Sequence, residues 1–109
     1  MYIYNVTFVV EKQDGDPFLK WLRDEALAEL VNPESPAREP RLTEVVNVPG
    51  APDFGEHAYS FALQTEFQTL EDAEKWAEVY LQPVVGKYAA RFGMEKAHSF
   101  ATILRTIDL

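Results

Sequence analysis

The chain contains no cysteine. That excludes disulfides, thiolate metal sites and a thiol nucleophile, and it leaves the redox compartment open. Positive charge is scarce as well: 10 Lys and Arg against 18 Asp and Glu give a formal net charge of −8. A non-specific nucleic-acid surface needs clustered basic side chains, and so does docking to anionic lipid, so neither is expected here. Only two histidines occur, His57 and His98. Each stands at the start of a predicted strand, without the ligand spacing of a metal cage, so no metal and no cofactor is expected. No apolar run approaches the roughly 20 residues of a membrane helix. The N-terminus lacks the basic segment of a signal peptide. The expectation is a cytoplasmic protein.

What remains is an ordinary globular composition, 47% hydrophobic and 26% charged over 109 residues, enough for one domain spanning 1–109 with a modest core. The opening stretch, Tyr2 to Val10, is rich in β-branched and aromatic residues and reads as a strand apolar on both sides. Tyr2, Tyr4, Val6, Phe8 and Val10 share one face; Ile3, Asn5, Thr7 and Val9 share the other. Two-sided apolarity predicts a central position in a sheet.

Asp16 followed by Pro17 predicts a helix start, with Asp16 as N-cap and Pro at the first helical position. Phe18, Leu19, Trp21, Leu22, Ala26, Leu27 and Leu30 form an apolar stripe running to about Val31, where Asn32-Pro33 should stop it. Asn32 to Arg41, with three prolines, reads as a loop. Leu42 to Val48 reads as a second strand, and Pro49 to Gly55 as another irregular stretch. His57 to Phe67 alternates cleanly, with Tyr59, Phe61, Leu63 and Phe67 on one side. Thr69 with Asp72 resembles a capping box, and Leu70, Ala73, Trp76, Ala77 and Tyr80 form the stripe of a second helix. Pro83 should kink or break that helix, and Gly93 is placed as its left-handed C-cap. Ala97 to Leu109 is the last strand.

The order β-α-β-β-α-β, with two right-handed crossovers, predicts an α+β ferredoxin-like domain: a four-stranded antiparallel sheet, order 4-1-3-2, with two helices on one face. Pairs of such domains can form a dimeric α+β barrel. Tyr2-Ile3-Tyr4-Asn5-Val6-Thr7, Trp21-Leu22 and Arg91-Phe92-Gly93 resemble a bacterial family of unknown function, DUF4286, found mostly in Bacteroidetes. Pro83 fits the resemblance, while Tyr88 stands where it leads one to expect histidine. The family brings no established activity, so the resemblance implies the fold.

Aromatics on the first and third strands, Tyr2, Tyr4, Tyr59 and Phe61, occupy positions where RNA-recognition folds stack bases. The basic and glycine residues of that motif are missing, and core packing is the better reading. Trp21 and Trp76 likewise read as core. Asn5, Thr7, Ser60, Gln64 and Arg105 are expected on the sheet side away from the helices, among Ile3, Val9, Ala58, Ala62, Ile103 and Ile107. An apolar surface with a few convergent polar groups suits a small-molecule ligand or a dimer contact. The leading expectation is therefore a non-enzymatic homodimer through the open sheet face, binding a small ligand or partner there. The alternative is a cofactor-free enzyme of the dimeric α+β barrel kind, resembling monooxygenases, with His98, Asn5 and Tyr59 as candidates for a cavity between the sheet and the helices.

Overall fold

A computed structural model describes residues 1–46, 58–93, 95 and 98–109. Strand β1 (Tyr2–Glu11) leads through a 3-10 turn, Lys12–Asp14, into helix α1 (Gly15–Trp21). A π turn, Leu22–Ala26, joins α1 to a closing turn, α2 (Leu27–Leu30). Strands β2 (Arg38–Glu44) and β3 (Ala58–Phe67) follow. The second helical run is α3 (Leu70–Trp76), a π turn (Ala77–Leu81) and α4 (Gln82–Phe92), and β4 (His98–Arg105) ends the fold. The sheet order is β2-β3-β1-β4 and every pairing is antiparallel. This is the expected ferredoxin-like arrangement, with the two strands richest in apolar residues at its centre.

One face of the sheet carries the core. Tyr4, Val6, Phe8 and Val10 of β1 and Phe61, Leu63 and Phe67 of β3 are buried against Phe18, Trp21, Leu22, Trp76, Leu81 and Tyr88 of the helical runs. Aromatic rings dominate this layer. Phe18 stacks on Phe61 at 5.5 Å, Phe8 meets Tyr88 edge-on at 4.9 Å, and Tyr4 meets Trp76 edge-on at 5.3 Å. Contacts of this geometry add to the area term of burial. The Trp76 indole N–H donates to the Leu30 carbonyl at 2.8 Å, fastening the second helical run to the end of the first.

Several local expectations change. The first helical run starts at Gly15, so Asp16 lies in its first turn and caps nothing; Asp14 holds the N-cap position without a side-chain hydrogen bond. The preceding 3-10 turn supplies the entry that a capping side chain was expected to supply. Val31 is extended, and Asn32 closes the run: its amide donates to the Ala28 and Glu29 carbonyls while its oxygen accepts from the Glu34 and Ser35 amides. Strand β2 begins at Arg38 inside the proline-containing stretch read as a loop. Its register slips between Arg38 and Arg41, and Glu39 takes φ 51 ahead of Pro40. A bulged edge strand tolerates a proline that a regular strand would not. The Thr69 hydroxyl accepts the Asp72 amide at 3.1 Å, as the capping box predicts.

Pro83 does not break the second run. It sits in the first turn of α4, and the irregularity lies just before it, where the Gln82 N–H reaches back five residues to Ala77. Gly93 has a positive φ of 93 but ψ 122, which is not the left-handed helical cap. The readings of Val48, Pro49 to Gly55, His57 and Ala97 fall outside the described residues.

Candidate functional site: the open face of the sheet

The side of the sheet away from the helices carries the alternate residues of each strand. Cα pairing fixes which these are, because directly opposed residues share a face. Asn5 opposes Gln64 on β3 and Thr102 on β4; Thr7 opposes Ala62 and Phe100; Val9 opposes Ser60 and His98; Ile3 opposes Glu66 and Leu104. From β2, Arg41 opposes Gln64 and Thr43 opposes Ala62.

Asn5, Thr7, Ser60 and Gln64 are thus brought together as expected, and Arg105 is not. Arg105 opposes Tyr2 and Ile103 opposes Tyr4, so both lie on the helix side. The expected face of β4 was inverted by one residue. Both of its faces alternate apolar and polar groups equally, and β4 is exposed along nearly its whole length, so burial imposes no choice that the sequence could display. Phe100, Thr102 and Leu104 take the places expected for Ile103 and Arg105. Leu104 is 42% exposed and Phe100 46%.

The polar groups form a line. Gln64 Nε2 donates to Asn5 Oδ1 at 3.2 Å, and Asn5 Nδ2 donates to Thr7 Oγ1 at 3.3 Å. Thr7 and Ser60 are buried, while Asn5 and Gln64 are half-buried. Ile3, Val9, Ala58 and Ala62 flank the line. Asn5 thus engages both its oxygen and its N–H, whereas Gln64, among the described residues, engages only its N–H.

Beyond Gln64 the same face carries a cleft of about 210 Å³ lined by Ile3, Glu39, Pro40, Arg41, Gln64 and Glu66. Arg41, Glu39 and Glu66 come from the bulge and from the far end of β3, and no residue pattern marks them in advance. Two further clefts lie on the helical side. One of about 460 Å³ between the helical runs is lined by Trp21, Glu25, Ala26, Glu29 and Lys87, with Lys87 paired to Glu29 at 2.7 Å. The other, about 260 Å³, is lined by Pro36, Asp72, Lys75, Trp76, Val79 and Tyr80. None of the three is lined by a histidine.

The set expected for catalysis is divided by the sheet. Asn5 and His98 are on the open face, whereas Tyr59 opposes Val10 on the helix side, its ring 5.6 Å from Phe61 and close over Gly15. Among the described residues no group of three His, Asp or Glu could hold a metal, and no helix is long and apolar enough to cross a membrane.

These features define an α+β domain of ferredoxin-like topology whose helices, among the described residues, pack on one face of the sheet. The chain belongs to the family described as "Domain of unknown function (DUF4286)", whose sequence model matches residues 1–107. No curated protein matches it. Solved structures share the fold at low identity. An ethyl tert-butyl ether D (EthD) family protein from Bacillus halodurans is 16% identical, with a TM-score of 0.63 over 98% of this chain and 100% of that one. HapK from Hahella chejuensis is 12% identical, with a TM-score of 0.64 over 98% and 93%. A protein from an uncultured marine organism, described as dimeric and ferredoxin-like, is 14% identical with a TM-score of 0.57 over 100% and 99%.

Proposed function

We propose that this protein is a small homodimeric binding domain whose two copies meet through the open faces of their sheets. The observation that carries this reading is the composition of that face. Ile3, Val9, Ala58, Ala62 and Leu104 flank the Gln64–Asn5–Thr7 line on the side of the sheet away from the helices. Apolar patches of this kind on a sheet usually mark an interface. The small residues Ala58 at the start of β3 and Ala62 at its middle would let a second sheet approach closely, and a twofold axis would make each patch its own partner. The description of one structural neighbour as dimeric and ferredoxin-like adds support. A binding role is favoured over catalysis because Tyr59 is separated by the sheet from Asn5 and His98.

Ala62→Arg tests the proposal by placing a charge at the centre of the contact while sparing the helix side. Sedimentation at tens of micromolar should show a dimer for the wild type and a folded monomer for the variant. A wild-type monomer, or a variant that stays dimeric, would overturn it.

A further inference from the structure

The cleft at the β2 edge of the open face has an unusual charge content. Glu39, Arg41 and Glu66 all line it, yet none of the three makes an ion pair or a side-chain hydrogen bond among the described residues. Ion pairs between such residues form readily when geometry allows, as Lys20–Asp24 and Lys87–Glu29 do at 2.7 Å elsewhere on this surface. The register slip between Arg38 and Arg41 and the positive φ of Glu39, 51° and directly ahead of a proline, present Glu39-Pro40-Arg41 as one lip of the cleft. A positive φ at a residue other than glycine is costly, so this geometry persists only because the surrounding structure imposes it. Gln64 completes the set. Its N–H is engaged by Asn5, which orients the amide, and its carbonyl oxygen has no partner among the described residues.

We infer that this cleft binds a free α-amino acid. The inference rests on the reading of the open face as the binding surface of the protein, but it does not require the dimer. A simple anion entering the cleft would meet Arg41 but also two carboxylates. A simple cation would meet the two carboxylates but also the guanidinium. A molecule that carries one charge of each sign on neighbouring atoms is opposed by neither. The planar guanidinium of Arg41 suits a carboxylate, which it can engage through two parallel N–H donors. The three N–H groups of an α-ammonium match three acceptors: Glu39, Glu66 and the Gln64 carbonyl oxygen. Ile3 and Pro40 supply apolar wall for a small side chain, and about 210 Å³ admits a small or medium amino acid but not a peptide.

The test is titration of the full chain with glycine, L-alanine, L-serine, L-valine and L-leucine, followed by calorimetry and by amide chemical shifts. At least one should bind saturably below about 10 mM, with shifts concentrated at Ile3, Arg41, Gln64 and Glu66. The N-acetyl derivative of the best ligand, which lacks the ammonium, and its carboxamide, which lacks the carboxylate, should each bind at least tenfold more weakly. Arg41→Gln and Glu66→Gln should each lose at least tenfold in affinity with unchanged thermal melting. No saturation by any of the five, a derivative that binds as well as its parent, or binding that survives Arg41→Gln would overturn the inference. Sedimentation of the same samples separates this result from the dimer: a monomer that binds the amino acid removes only the dimer, and a dimer that does not bind removes only this site.

Discussion

Two polar side chains sit in the same aromatic core and should respond to substitution in opposite directions. Tyr88 is almost fully buried, and its hydroxyl lies between the Val9 carbonyl at 2.6 Å and the His98 carbonyl at 3.2 Å. It thereby ties α4 to the adjacent ends of β1 and β4. Tyr88→Phe keeps the ring contacts and removes the donor, so it should destabilise by about 1–3 kcal/mol in urea denaturation. Burial also pushes the Tyr88 hydroxyl up to about 12 from 10.0. The unfolded chain therefore loses this proton first. The stability is fully present below pH 10 and drains away as the pH rises toward 12. Over that window wild type should lose stability more steeply than Tyr88→Phe, as denaturation midpoints at successive pH values would show. Thr65 is the contrary case. Its hydroxyl is buried without a partner among the described residues. Thr65→Val preserves the β-branched shape and removes the unpaired group, so a gain of about 1–2 kcal/mol is expected by the same measurement. Tyr88 fills its place as a core residue, and nothing in the sequence separates that role from the histidine that the family resemblance leads one to expect there.

At the scale of elements, the two helical runs share a device. Each contains a π turn directly after a tryptophan: Leu22–Ala26 after Trp21, and Ala77–Leu81 after Trp76. In each the backbone bond spans five residues, from Leu27 N–H to Leu22 and from Gln82 N–H to Ala77. The wider turn brings Trp21 and Ala26, or Trp76 and Leu81, onto the same buried face, which regular helix geometry would splay apart. Pro17 lies in the opening turn of the first run, well before its π turn, and Pro83 follows the π turn of the second, so proline does not account for the irregularity. The spacing of apolar residues was legible as two helical stripes, but the extra residue in each was hidden, because a five-residue step still resembles a broad stripe. Helix starts divide in the same way. Thr69→Ala should cost about 0.5–2 kcal/mol by loss of the Asp72 amide bond. Asp16→Ala, exposed and without a capping contact, should change the midpoint by no more than about 0.5 kcal/mol. Equal effects of the two would contradict the observed helix starts.

For the whole molecule, strand order followed from apolar content: β1 and β3 have enough of it to demand the centre, and two crossovers leave one sheet order. The open face followed too, since Asn5, Thr7, Ser60 and Gln64 alternate against a core of Val6, Phe8, Phe61 and Leu63. What the sequence could not reveal was the phase of β4, an edge strand with Phe100, Ile103 and Leu104 all exposed. It also could not reveal the cleft, which depends on a bulge at Glu39 that no local residue preference announces. The phase of β4 yields the sharpest check on the proposed dimer. Leu104 opposes Ile3 on the open face and Ile103 opposes Tyr4 on the helix side, although the two are neighbours and are exposed to a similar degree, 42% and 37%. If the sheets meet face to face, Leu104→Glu places a charge inside the contact and Ile103→Glu places one outside it. Burying an unpaired carboxylate is costly enough to dissociate a modest interface. Sedimentation should therefore find Leu104→Glu monomeric and Ile103→Glu dimeric, with both variants retaining the wild-type circular dichroism. The reverse pattern would mean that the copies meet along the helix side of β4, and dissociation of both would mean that the contact runs around the strand edge.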